Sequence, residues 1–178
     1  TRDAYLAVLD AIHAQKLDAN VSVKLTAFGL SLDIEECYRS VKAVVMRARD
    51  RGNFVRIDME DRPVTTKTLD VFRRLRTEGF SNCGVVLQAY MRRTVADIDA
   101  LAPFDMNYRL CKGIYVEPAE IAFKDADEIR ANYLRALERM FETRAYVGIA
   151  THDHKLVDGA KALIKRFGLA RDRYEFQM

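Results

Sequence analysis

Six stretches of this 178-residue chain close on side chains able to do chemistry: Lys24, Asp58, Gln88, Arg109 with Lys112, Thr151 with His152, and Gln177. One polar residue at the end of an apolar run is commonplace, but six in succession point to a shared rim. Cations outnumber acids along it, so the ligand they suit carries negative charge. Arg109 stays protonated at any working pH, so it can stabilise charge but cannot act as a base. In the stretch YRLCKGIYVEP, Tyr108–Pro118, Lys112 can supply charge to a phosphate and Gly113 lets the backbone approach closely. Lys24 has three readings: a lining cation paired with Asp58, a substrate contact, or a Schiff-base nucleophile. His152 and His154 read as H-x-H without a third clustered ligand, and Asp153 between them suits a helix cap, so no metal site is assigned. Cys111, in mid-strand, reads as a small core residue. There is no G-x-G-x-x-G and no G-x-x-x-x-G-K-[ST], so neither device holds a nucleotide here.

The elements that must position these groups follow from hydrophobic periodicity. Alternation predicts strands over Val21–Leu25, Phe54–Asp58, Cys83–Tyr90, from Tyr108, over Tyr146–His152 and over Tyr174–Met178. On the fourth, Arg109 and Cys111 share one face, Tyr108 and Leu110 the other. Helical stripes are expected over Asp3–Gln15, from about Asp33 to Gly52, after a cap at Thr65 or Thr66, from Thr94 to Pro103, after a cap at Asp127, and from Asp153 to Gly168. Strand and helix alternate at roughly thirty residues per unit, the spacing of a (β/α)8 barrel of TIM type, with about six of the eight strands in this chain. A doubly wound sheet also alternates. Here, however, each strand has one apolar face, while the other carries Lys24, Arg56, Asp58, Gln88, Arg109, His152, Glu175 and Gln177. Helices on both faces would bury those charges at a cost, whereas a barrel interior offers partners such as Arg56 with Glu175. One domain over residues 1–178 is expected, with the chemistry at the C-terminal ends of its strands.

Composition narrows the classes. The chain is 49% hydrophobic and 31% charged, ordinary for a globular domain with a real core. A net charge of +3, without a basic block or aromatic-interleaved patch, does not argue for nucleic acid. Cys37, Cys83 and Cys111 are odd in number and far apart, which suits a reducing compartment rather than a disulfide framework. No apolar run is long enough to span a bilayer and no signal peptide is visible. A chain that starts at Thr1 and stops at Met178 straight after a strand reads as a piece of a longer protein, truncated at both ends.

Taken together, SVKLT at 22–26, RIDMED at 56–61, VVLQAY at 85–90, YRLCKGIY at 108–115, IATHD at 149–153 and YEFQM at 174–178 resemble the proline dehydrogenase family. The resemblance covers essentially the whole chain, with six motifs in order. It implies an FAD-dependent (β/α)8 barrel that oxidises L-proline to Δ1-pyrroline-5-carboxylate and passes electrons to a quinone. By the same resemblance Lys24 contacts the proline carboxylate, Asp58 and Arg109 are active-site residues with Arg109 beside the flavin N5, and Met59, Gln88, Lys112, Gly113, Ile114, Thr151 and His152 hold the FAD. A guanidinium near N5 would stabilise the anion that develops there. The family closes its site with an arginine pair on the eighth helix, which this chain does not reach. Implied partners are L-proline, a quinone, the membrane periphery and a pyrroline-5-carboxylate dehydrogenase, fused or cooperating. The implied location is cytoplasmic or peripheral at a bacterial inner membrane, or mitochondrial in a eukaryote. Two other readings compete: a Schiff-base lyase using Lys24, and a non-catalytic barrel that binds an acidic metabolite.

Overall fold

A computed structural model describes every residue, Thr1–Met178. The order is α1 (Arg2–Ala14), β1 (Val21–Val23), a 3-10 turn (Leu25–Phe28), α2 (Ile34–Asp50), β2 (Val55–Ile57), α3 (Arg62–Thr77), β3 (Cys83–Gln88), α4 (Thr94–Leu101), β4 (Asn107–Cys111), α5 (Ala126–Glu142), β5 (Tyr146–Ala150), α6 (His154–Phe167) and β6 (Tyr174–Gln177). β1 pairs with β2, β2 with β3, β4 with β5 and β5 with β6, each in parallel. The expected strand–helix alternation is therefore present, six strands long. The contacts divide the chain into two compact units, Thr1–Val85 and Val86–Met178, with β3 passing from one to the other.

In the first unit, α2 starts where the sequence places it. The Asp33 carboxylate accepts from the Glu35 and Glu36 amides, which satisfies two otherwise orphaned donors. Its buried stripe is Cys37, Tyr38, Val41, Val44, Val45 and Ala48. Each large aliphatic or aromatic member contributes about 1.5–3 kcal/mol by leaving water. In register, Val21 faces Val55, Ser22 faces Arg56 and Val23 faces Ile57; the Asp58 amide then donates to the Val23 carbonyl at 2.9 Å, carrying the ladder one step past β2. β1 is shorter than expected, because Leu25 turns into the 3-10 segment and is fully buried. The α3 start also departs from expectation. The helix begins at Arg62, with Asp61 as N-cap and Pro63 in the first turn, not at Thr65 or Thr66. Proline there loses nothing, since its missing N–H has no partner in a first turn. Thr65 lies inside the helix, and its hydroxyl bonds back to the Asp61 carbonyl at 3.0 Å.

In the second unit, β4 alternates as expected: Tyr108 and Leu110 are buried, Arg109 and Cys111 half-buried. Helix α5 locks onto it, the Tyr133 hydroxyl donating to the Leu110 carbonyl at 2.8 Å. Asn132 donates to the Ala89 carbonyl at 2.7 Å. The cap of α5 is Asp125, not Asp127, because it is the Asp125 carboxylate that accepts from the Asp127 and Glu128 amides. Asp127 is thereby placed inside the first turn. Asp153 caps α6 and Gly168, at φ +59, ends it in the left-handed conformation, both as expected.

Candidate functional site

Every residue singled out for chemistry lies at the C-terminal end of a strand or within five residues beyond it, except Arg109, which is in the middle of β4. In the first unit, Lys24 follows β1 with an extended backbone, φ −96 and ψ 125, and leads into the 3-10 turn. It is exposed. Asp58 is half-buried and Met59 is buried. Beside them stands Glu60, which sequence reasoning quoted but did not select. It is buried and accepts from the Thr26 amide at 3.0 Å and from the Thr26 hydroxyl, so it ties the turn after β1 to the end of β2.

In the second unit, Gln88 is buried at the end of β3, where its carbonyl accepts from the Thr94 hydroxyl at 2.6 Å. The ladder continues past β3: the Ala89 and Tyr90 amides donate to the carbonyls of Cys111 and Lys112, both at 2.8 Å. That brings the Tyr90 ring beneath Gly113. A Cβ on Gly113 would stand 2.2 Å from the Tyr90 Cδ1, and its φ is +109, so the position excludes any other residue. The next residue, Ile114, is 86% exposed and open to a ligand.

Arg109 donates from Nε to the Gln177 Oε1 at 2.6 Å, and Gln177 in turn donates to Glu175 at 2.5 Å. Register explains how. Arg109 faces Gly148, and Gly148 faces Glu175. With no side chain on Gly148, Gln177 fits over it; a Cβ there would come within 2.7 Å of the Gln177 Nε2.

Lys112 is tied down by Asp153. Its Nζ donates to Oδ2 at 3.0 Å, and the Arg130 Nε donates to the same oxygen at 2.9 Å. The other oxygen, Oδ1, accepts from the Lys155 amide at 3.1 Å. The Asp153 amide donates to the Thr151 hydroxyl at 3.1 Å. Lys112 and then Arg130 hold the Asp153 carboxyl well below the usual carboxylate range. Sequence reading assigned Asp153 only its capping role and missed Arg130. The i,i+3 pair of Asp127 with Arg130 was visible in principle, but nothing local announces that Arg130 turns to Asp153. Thr151 is buried, His152 is exposed and His154 opens α6. Cys111 is half-buried, its thiol directed at the Leu87 carbonyl 3.7 Å away. Burial pushes the Cys37 and Cys83 thiols up to about 11, which makes them inert.

Chemically, the second unit offers a fixed guanidinium, an anchored ammonium and a left-handed glycine within five residues of β4 and its end. That donor set fits a group bearing phosphates: the cations match its charge and the bare backbone at Gly113 permits close approach. No helix of the chain is long and apolar enough to cross a membrane.

Comparison with known proteins places these observations in a family. The family model described as Proline dehydrogenase matches residues 1–178. The chain is 38% identical over 164 residues to Proline dehydrogenase 2 of Bacillus subtilis (strain 168), covering 92% of this chain and 54% of that protein. It is 32% identical over 180 residues to Proline dehydrogenase of Deinococcus radiodurans, covering 99% and 58% respectively. The chain thus spans about half the length of the curated relatives it matches. Among solved structures, proline utilization A (PutA) from Bdellovibrio bacteriovorus, inactivated by N-propargylglycine, superposes with a TM-score of 0.89 at 24% identity, over 99% of this chain and 23% of that one. A bifunctional proline utilization A (PutA) protein superposes with a TM-score of 0.81 at 20% identity, over 98% and 21%. At these identities the likeness establishes the fold, an α/β barrel of TIM type represented here by six strands.

Proposed function

This chain belongs to the proline dehydrogenase family, and from that membership we propose that it forms part of an FAD-dependent enzyme that oxidises L-proline to Δ1-pyrroline-5-carboxylate and delivers the electrons to a quinone. The observation that carries the reading is the cationic, glycine-opened segment Arg109–Gly113, set within a family match that runs the whole chain. The bound flavin supplies the hydride acceptor. The chain's own residues do the rest. Lys24 pairs with the substrate carboxylate, and Asp58 lies in the active site. Arg109, always charged and steadied by Gln177, stabilises negative charge that develops beside it. Met59, Gln88, Lys112, Gly113, Ile114, Thr151 and His152 hold the cofactor, Lys112 by its charge and Gly113 by its exposed backbone. The solved PutA neighbours, one of them described as bifunctional, favour a partnership with the dehydrogenase that consumes the product.

The test uses the natural full-length protein. It should be yellow, or take up added FAD, and reduce a dye in the presence of proline. Lys24→Ala should raise the Michaelis constant for proline far more than the dissociation constant for FAD. A colourless protein that binds no FAD would overturn the reading, and borohydride trapping of a carbonyl substrate on Lys24 would replace it with a Schiff-base lyase.

A further inference from the structure

We propose that Asp153, braced by Arg130, is a positioning residue for the cofactor-holding groups of the second unit, acting by fixing the Lys112 ammonium. The inference rests on the FAD reading above. Asp153 joins four places in the chain: the end of β4 through Lys112, the start of α5 through Arg130, the start of α6 through its capping bond to Lys155, and the end of β5 through Thr151. Its side chain is 9% exposed, against 39% for Lys112 and 28% for Arg130, so the carboxylate lies beneath the two cations. Arg130 is itself held from outside by Asp127, at 2.8 Å.

An acid at this place presents an electrostatic contradiction. By charge alone it opposes a cofactor that carries a pyrophosphate, and removing it should tighten binding. By geometry it does the reverse. A lysine has four rotatable bonds, and ordering it costs entropy that the cofactor would otherwise have to supply. The carboxylate meets that cost in advance, leaving Lys112 a half-exposed cation in one place. The two effects predict opposite signs for the same substitution, and the saturated contacts of Asp153 favour geometry.

Asp153→Asn separates them. Asparagine caps a helix as well as aspartate, and the backbone bond to Thr151 is untouched, so α6 and the 151–153 turn should persist. The measurement is FAD dissociation from the full-length protein, followed by recovery of flavin fluorescence, with no turnover involved. Asp153→Asn should weaken FAD by about tenfold, within the range of coupled charged neighbours. Arg130→Gln should weaken it in the same direction by a smaller factor. In a Lys112→Met background the Asp153→Asn effect should shrink below about twofold, because the residue through which it acts is gone. Unchanged or tighter binding in Asp153→Asn overturns the inference, as does a full-sized effect in the Lys112→Met background. Should Asp153→Asn fail to fold, Arg130→Gln decides alone, unchanged or tighter binding again counting against. A wild-type protein that takes up no FAD overturns the cofactor reading first, and this inference with it.

Discussion

Glu60 in the first unit and Asp153 in the second stand at matching places, each the third residue past its strand, and they tie together different parts of the chain. The contacts Glu60 makes with Thr26, a neutral residue, are two hydrogen bonds, and they secure one turn. Asp153 takes two cations and a helix amide, and its own amide secures a second segment. The comparison teaches that a carboxylate at the same place past its strand can latch a neighbouring turn, as Glu60 does through Thr26, and can gather a network of cations and helix starts, as Asp153 does. Three experiments can break or sharpen that contrast.

The largest effect should come from the two glycines of the rim loops. Gly113→Ala puts a Cβ against the Tyr90 ring at a φ of +109, and should cost about 3 kcal/mol or more in urea unfolding. Gly29→Ala, at φ +83 with nothing within 4 Å, should cost only about 1 kcal/mol. Equal costs would mean that the Tyr90 ring simply moves aside and that the second rim is no tighter than the first.

Next in size is Asp153→Ala, which removes a helix cap and leaves Lys112 and Arg130 without their shared carboxylate. Because both cations are partly solvated, a loss of about 2 kcal/mol is expected rather than that of a buried pair. Thr26→Val deletes one donor to Glu60 while the amide bond remains, and about 1 kcal/mol should be lost. Chemical denaturation of both variants checks the order. If Thr26→Val proves the more damaging, the latch outweighs the network.

The smallest effect is in the pH dependence. The Asp153 carboxyl is depressed in the folded protein below its ordinary value of 3.8, so its contribution is fully present above that value. It is lost as pH falls from about 5 toward the folded pKa, the direction in which protons bind the unfolded chain more readily. Stability measured between pH 5 and 3 should therefore fall less steeply in Asp153→Asn than in wild type. A parallel fall in Asp153→Asn would show that other carboxylates carry the acid limb.

The strand–helix alternation, the half-buried face of β4 and the caps at Asp33, Asp153 and Gly168 were determined by the sequence alone, because periodicity and capping act over a few residues. So was the succession of polar residues at the strand ends, which carried the family resemblance. Where several capping residues compete nearby, local reasoning chose wrongly. Asp61 and Asp125 lie at the helix starts, and Thr65, Thr66 and Asp127 fall inside, because only one residue in each run has the extended backbone of a cap. The tertiary structure alone decided which charges meet. Lys112 pairs with an acid 41 positions away and Arg109 with an amide 68 positions away. Such pairs are set by parallel register and by the stacking of α5 and α6, and neither leaves a repeat in the sequence.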